Sequence, residues 1–250
     1  PTLALIHARA AADYAKARDM QVPYFSLEMT AAELAERAVS NLADFPLRWM
    51  TQPSTAPDHA MDAVQAGSRA LLELPLLIDD RCGLSLEQIV SRSTQLHMRK
   101  RLACIVVDYM HIMARPRRND VAELGAIATG LKNLSKTLSV PVIALHQLNR
   151  SSAGRESRRP TLFDIRASGE IAETANTVVA IYRSEVARPD FAPLKGYAEA
   201  LILKQRQGRR DVRAWMHSKV GNMRFESCEA PDGYDETITP DREEPNGSAD

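Results

Sequence analysis

The chain has 250 residues, with 32 acidic and 32 basic side chains, and 44% of its residues are hydrophobic. This length supports one large α/β domain or two small ones, and no apolar run is long enough to predict a membrane-spanning helix. Cys82, Cys104 and Cys228 lie far apart and form no C-x-x-C pair. The cysteines therefore support neither a disulfide framework nor a zinc ribbon, and they favour a reducing, cytoplasmic setting.

Charge is distributed unevenly along the chain. Residues 228–250 contain eight acidic residues and one basic residue, so their net charge is −7 and residues 1–227 carry +7. We therefore predict a folded domain over residues 1–227 and an acidic, disordered tail over residues 228–250. The positive domain permits a phosphate-rich partner but does not require one.

Short β-rich runs alternate with longer amphipathic stretches, which is typical of a mainly parallel sheet flanked by helices. The runs that predict strands are 22–27, 75–79, 103–108, 140–145, 177–182, 198–204 and 212–217. The last strands follow one another without intervening helices, so we expect an antiparallel edge at the C-terminal end. The spacing of a capping box predicts three helix starts, at Thr30, Ser85 and Asp120.

The helix after Asp120 has a regular apolar stripe that predicts a face packed in the core. The residues of the stripe are Val121, Leu124, Ile127, Leu131, Leu134 and Leu138. Residues 149–160 break the alternation of strands and helices with four arginines against one glutamate. This segment follows a predicted strand, where open α/β sheets bind ligands, but it could equally be an ordinary solvated loop.

Three predicted strands end in candidate catalytic residues. Asp108 closes an I-V-V-D run. This pattern is typical of an acid that contacts nucleotide-bound magnesium, either directly or through a water molecule. Glu28 could activate the water that attacks a γ-phosphate, or it could simply favour a helix start. Gln147 could sense the γ-phosphate and pass its state to the basic segment that follows.

A further candidate pair is Lys204 and Arg206, two cations separated by one residue in a predicted strand and therefore on one face. Such a pair could reach the nucleotide of a neighbouring subunit, where an arginine finger contributes a factor on the order of a thousand or more to phosphoryl transfer. Alternatively, the two cations could protect an edge strand from aggregation.

Five motifs in this order resemble those of DnaB-family replicative DNA helicases, over residues 2 to 226 approximately. They are F-S-L-E-M (25–29), I-V-V-D-Y-M-H-I-M (105–113), V-P-V-I-A-L-H-Q-L-N-R (140–150), D-I-R-A-S-G-E-I (164–171) and K-Q-R-Q-G (204–208). The resemblance implies a RecA-like P-loop NTPase core that hydrolyses ATP with Mg²⁺ and unwinds DNA. It also implies a homo-oligomeric, hexameric ring that translocates on single-stranded DNA, with primase and a helicase loader as partners.

The resemblance also implies roles for individual residues. Glu28 is expected to be the catalytic base, Asp108 the magnesium-side acid and Gln147 the phosphate sensor, while Lys204 and Arg206 act in trans. The expected contacts with single-stranded DNA are Arg150, Arg166, Ser168 and Gly169. These contacts would grip phosphates without reading bases.

The sequence departs from the family in three places. Ala167 replaces a usual glutamate in the DNA-facing loop, and His146 stands where serine is common. No G-x-x-x-x-G-K-[ST] motif is present, and Thr2 begins a segment similar to the one that follows this motif in the family. We therefore expect the chain to start directly after the phosphate-binding loop, with Thr2 next to the nucleotide, and as written to bind ATP poorly.

Two other functional assignments remain open at this point. The chain could belong to another group of RecA-fold ATPases, such as a recombinase, which would share the core and a strand-end acid. It could also be a catalytically inactive subunit that joins or caps a ring, which the missing phosphate-binding loop favours. Retention of Glu28, Gln147, Lys204 and Arg206 opposes the inactive subunit.

Overall fold

A computed structural model describes residues 2–113, 120–148, 159–165, 168–187, 194–209 and 212–231. Four parallel strands form the first sheet, and their order is β2-β1-β3-β4. Their bounds are Val22–Ser26 (β1), Leu76–Asp79 (β2), Ile105–Asp108 (β3) and Val142–Ala144 (β4). All four lie where the sequence predicts strands, and each end is within two residues of its predicted position.

Helices lie between the strands along the chain and pack on the parallel sheet. The described helices are Thr2–Lys16 (α1), Ala31–Leu42 (α2), Arg48–Thr51 (α3), Ala60–Leu72 (α4), Leu86–Arg99 (α5), Asp120–Leu138 (α6), Ser168–Thr174 (α7) and Ser184–Ala187 (α8). The capping boxes predicted at Thr30 and Ser85 are confirmed, since each side chain accepts a hydrogen bond from the residue three positions later. Helix α6 begins at Asp120 itself, whose side chain lies outside the described residues.

The two central strands of the parallel sheet, β1 and β3, are buried on both faces. Successive residues of β3 point to opposite sides, so Ile105 and Val107 join one core cluster while Val106 joins the other. The first cluster includes residues of α5 and α6, and the second includes residues of α1 and α2. The predicted core stripe of α6 is confirmed by the burial of its members Leu124, Ile127, Leu131 and Leu134; Leu138 is partly buried and packs against the same cluster.

The C-terminal strands form a second sheet, of four antiparallel strands in the order β5-β6-β7-β8. They are Thr177–Tyr182 (β5), Tyr197–Gln205 (β6), Val212–Lys219 (β7) and Arg224–Cys228 (β8). The predicted antiparallel arrangement is confirmed, but β8 was not predicted. Its sequence, R-F-E-S-C, has only one large apolar side chain and therefore carries a weak strand signal.

No helix within the described ranges is long and apolar enough to cross a membrane. All three cysteines are free thiols, and burial raises the pKa of the Cys104 thiol to about 12. Within the described part of the chain, no three or more histidine, cysteine or acidic side chains lie together so as to hold a metal ion. Residues 232–250, most of the predicted acidic tail, lie outside the described residues.

Candidate active site

The register of the parallel strands brings three of the predicted catalytic residues to one edge of the sheet. Ser26 of β1 pairs with Asp108 of β3, and Val107 of β3 pairs with Ala144 of β4. Glu28 lies two residues beyond Ser26, and Gln147 lies three residues beyond Ala144. Because parallel strands end at the same edge, the three polar residues share the carboxyl edge, where open α/β sheets bind ligands.

Asp108 is buried, with 3% of its surface exposed. The hydroxyl of Tyr24, on the neighbouring strand β1, donates a hydrogen bond to Oδ2 of Asp108. Burial, and then the negative charge of Asp108, raise the pKa of the Tyr24 phenol far above its ordinary value. Tyr24 therefore remains a neutral donor that fixes one carboxylate oxygen of Asp108, a role that the sequence did not reveal.

Glu28 is exposed, in a short turn that is held at both ends. At the start of the turn, Oγ of Ser26 donates to the carbonyl of Met29 at 2.6 Å and accepts from its N–H at 3.2 Å. At the end of the turn, Thr30 caps α2 through Glu33. The turn therefore presents the Glu28 carboxylate to solvent from an anchored backbone, the arrangement that a base acting on water requires.

A third carboxylate, which sequence reasoning missed, also lies at this edge. Asp80 follows β2, and its Oδ2 accepts a hydrogen bond from the N–H of Ala31, at the first residue of α2, at 2.7 Å. It satisfies one of the free N–H groups at the start of α2, just beyond the turn that carries Glu28. The pair Asp79-Asp80 directly after a predicted strand was the available signal.

Gln147 is exposed beyond the end of β4. The backbone before it is held against β3, since the N–H of Leu145 donates to Val107 at 3.0 Å and the N–H of Met110 donates to Leu145 at 3.1 Å. The amide of Gln147 thus follows a segment that is anchored to the strand carrying Asp108. This position is compatible with a sensor of a ligand at the shared edge.

Lys204 and Arg206 lie on the other sheet, at the end of β6. Strand β6 ends at Gln205, so Arg206 is just beyond the strand rather than within it as predicted. Both side chains nevertheless reach the same acceptor, the main-chain carbonyl of Glu173 in α7, at 3.0 Å from Lys204 and 3.2 Å from Arg206. Lys204 also donates to the carbonyl of Ala172.

The surroundings of Lys204 disfavour its charged form. Partial burial is the largest cause that lowers its pKa, and the positive charges of Arg206 and Lys132 lower it further, against a smaller opposing effect of Glu173. Three cations therefore lie close together around the C-terminal end of α7. Such a cluster favours the approach of an anion.

The predicted DNA contacts are only partly described. Arg150 and Arg166 lie outside the described residues, as does Ala167. Ser168 is the first residue of α7, and Gly169 is exposed with open space around it. Thr2 is the first residue of α1, and its hydroxyl contacts the sulfur of Met223 at 3.6 Å.

A hard divalent cation fits the chemistry of the shared edge. Carboxylate oxygens are the ligands that Mg²⁺ prefers, and Asp108 and Glu28 supply them at neighbouring strand ends.

The sequence-family model for the DnaB-like helicase C-terminal domain matches residues 2–227 of the chain. The chain belongs to this family. The resemblance noted in the sequence is thereby confirmed, and the competing assignment to a recombinase-like group is not supported.

Two curated relatives show the extent of the similarity. The replicative DNA helicase DnaB of Leifsonia xyli subsp. xyli is 35% identical over 209 residues, which cover 83% of this chain and 45% of the relative. The replicative DNA helicase DnaB of Haemophilus influenzae is 35% identical over 203 residues, covering 78% of this chain and 42% of the relative. The chain thus spans less than half the length of these relatives.

Solved structures support the RecA-like fold. One of them, described as an ATPase domain, superposes with a TM-score of 0.82 at 24% identity, covering 91% of this chain and 80% of that structure. A DnaB-like replicative helicase, from a study of its interactions with primase, gives the same TM-score and identity and covers 91% of this chain and 54% of its own. The predicted fold class is therefore confirmed.

Proposed function

We propose that this chain is the ATP-hydrolysing motor domain of a cytoplasmic replicative DNA helicase that works as a hexameric ring on single-stranded DNA. The observation that carries the proposal is the meeting of Glu28, Asp108 and Gln147 at one edge of the parallel sheet, in a chain of the DnaB-like family. Primase and a helicase loader are proposed partners of the whole protein.

Each residue of the edge has a proposed role in phosphoryl transfer. Glu28 accepts the proton of the attacking water, because its carboxylate is exposed on an anchored turn. Asp108, oriented by Tyr24, would hold magnesium directly or through water, and the ion would supply positive charge beside the phosphates. Gln147 registers the γ-phosphate from the adjacent strand end, and Thr2, the first residue of α1, is proposed to lie near the nucleotide.

Lys204 and Arg206 are proposed to complete the site of the neighbouring subunit. They lie on the antiparallel sheet rather than at the edge that carries Glu28, and Arg206 is exposed at the end of its strand. A cation so placed is suited to a phosphate on another subunit. The charge that develops on the transferred phosphoryl group is then stabilised only when a ring has formed.

Arg206→Ala is expected to lower ATP turnover about a thousandfold in assembled rings, the smallest effect typical of an arginine finger. We would measure turnover in a protein with a phosphate-binding loop joined ahead of Pro1. Mixing Arg206→Ala subunits with Glu28→Ala subunits should restore part of the activity, because some interfaces then combine an intact Glu28 with an intact Arg206. No recovery in mixed rings, with subunit exchange verified, would argue against action in trans.

Single-stranded DNA binding is expected to depend on salt and to ignore base sequence. Arg150, Arg166, Ser168 and Gly169 are proposed to contact phosphates, so a plot of log affinity against log salt should fall with a slope of about −0.7 per phosphate neutralised. Fluorescence anisotropy with dT and mixed-sequence oligonucleotides would measure both properties. An affinity that does not change with salt would rule out this mode of binding.

A further inference from the structure

Helix α7 lies between the proposed DNA contacts and the two cations proposed to act in trans. Its first residues, Ser168 and Gly169, are proposed DNA contacts, and its last carbonyls accept hydrogen bonds from Lys204 and Arg206. The helix has seven residues, a length of roughly 10 Å at 1.5 Å per residue. Because the helix is so short, the groups that hold its C-terminal end lie close to its DNA-contacting end.

The contacts at the C-terminal end of α7 stabilise the helix, but a phosphate could replace the carbonyls as the partner of the two cations. The last four carbonyls of a helix have no partner within it, and they carry the negative end of the helix dipole. Lys204 and Arg206 supply donors to the carbonyls of Ala172 and Glu173. These acceptors are neutral, however, whereas a phosphate oxygen carries formal charge and makes hydrogen bonds about twice as strong.

The rest of α7 is held by packing against α6. A Cβ atom placed on Gly125 of α6 would lie 1.4 Å from Oε2 and 2.9 Å from Cβ of Glu170, so the glycine leaves the space that Glu170 occupies. Helix α7 also ends within one residue of Ala175, whose N–H donates to the carbonyl of Ile171 at 3.0 Å. Because so short a helix has little stability of its own, its position depends on the buried Ile171 and the packing against α6 as well as on the two cations.

We propose that Lys204 and Arg206 act as a clamp that holds α7 when they are not engaged by phosphate, and that releases α7 when they turn to the nucleotide of the neighbouring subunit. This proposal rests on the proposed function, because it uses the same two cations in trans. The clamped and the phosphate-bound states compete, since the same two side chains would have to turn from the carbonyls of α7 toward the neighbouring nucleotide. Nucleotide at one subunit interface thereby changes the freedom of a DNA-contacting helix in the adjacent subunit.

Linkage makes the coupling reciprocal. If phosphate binding to the pair loosens α7, then DNA that holds α7 in its clamped position must weaken phosphate binding to the pair by the same factor. The signal passes through hydrogen bonds to main-chain carbonyls and does not require Gln147 or the parallel sheet. It is therefore a second way of coupling nucleotide binding to DNA binding, separate from the coupling proposed for Gln147 and the basic segment that follows it.

Hydrogen-exchange mass spectrometry on the chain as it stands tests the clamp without any ATP turnover. Lys204→Met removes the ammonium and keeps a long side chain, and amide exchange in residues 168–176 should then be faster by on the order of tenfold, the factor that one charge-assisted hydrogen bond contributes. Lys132→Met is the matched control, because it removes a charge from the same cluster and should leave exchange in α7 unchanged. Equal acceleration in both variants would overturn the clamp.

Inorganic tripolyphosphate, added to the unmodified chain at constant ionic strength, tests the release. It should accelerate exchange in residues 168–176 toward the rate in Lys204→Met, and it should have no further effect on that variant. Unchanged exchange in the unmodified chain at saturating tripolyphosphate would overturn the coupling even if Lys204→Met failed to fold. A failure of the proposed function would be distinguished from a failure of the clamp. It would appear as no recovery of ATP turnover in the mixed rings, whereas hydrogen exchange in α7 does not depend on turnover.

Discussion

Replacing Glu28 with glutamine is expected to lower ATP turnover by about 10²- to 10⁴-fold, the contribution typical of a positioned general base. The amide keeps the size of the side chain but cannot accept a proton from water. Glu28 is exposed and its turn is fixed by Ser26 and Thr30, so the substitution should leave the fold intact. Turnover and Mg-ATP affinity would be measured in a protein with a phosphate-binding loop joined ahead of Pro1, and the affinity should be unchanged.

Glu33→Gln is the matched control for Glu28→Gln. Glu33 lies five residues further on and also carries an exposed carboxylate. It forms the capping box of α2 with Thr30. Glutamine at this position preserves the capping box, so only the charge is lost. Turnover should therefore stay at the unmodified level. If Glu28→Gln also left turnover unchanged, Glu28 would not be the base, and Asp80 at the same edge would be the next carboxylate to examine.

The parallel sheet could be predicted because its central strands, β1 and β3, are buried on both faces. Such strands are written as short β-branched runs, as in I-V-V-D at residues 105–108, and they are easily separated from the amphipathic helices between them. The signal fails for β8, where Arg224 and Glu226 are drawn into ion pairs at the edge of the second sheet. At such an edge, pairing with β7 determines the strand, and local composition contributes little.

The candidate site was predictable where a residue is the last polar group of a strand, as with Asp108. The contacts around that group were not predictable, because Tyr24, which donates a hydrogen bond to Asp108, lies 84 positions away in the sequence. The placement of Lys204 and Arg206 is a stronger example. Their acceptors are main-chain carbonyls of α7, which every residue type carries, so no sequence pattern can mark them.

A buried ion cluster surrounds Glu199 of β6 and includes Arg159, which lies near the end of the arginine-rich segment in the sequence. Arg159 donates to both carboxylate oxygens of Glu199, at 2.9 Å each, and its guanidinium lies 5.4 Å from the centre of the Tyr182 ring. Arg213 of β7 approaches the same carboxylate at 3.1 Å. Glu199 is only 2% exposed, so its charge depends almost entirely on these partners.

Glu199→Ala is therefore expected to lower the free energy of unfolding by about 3–5 kcal/mol, because it leaves buried arginine charge without its counter-ion. Urea denaturation followed by circular dichroism would measure the change. Glu226→Ala is the matched control, since Glu226 lies in the same antiparallel sheet and pairs with Lys219 at 2.8 Å and Arg224 at 3.0 Å, but its side chain is 33% exposed. Solvent screens such pairs, so the control should lose only a small fraction of what Glu199→Ala loses. Similar losses in the two variants would mean that burial of the Glu199 ion cluster adds nothing to its contribution to stability.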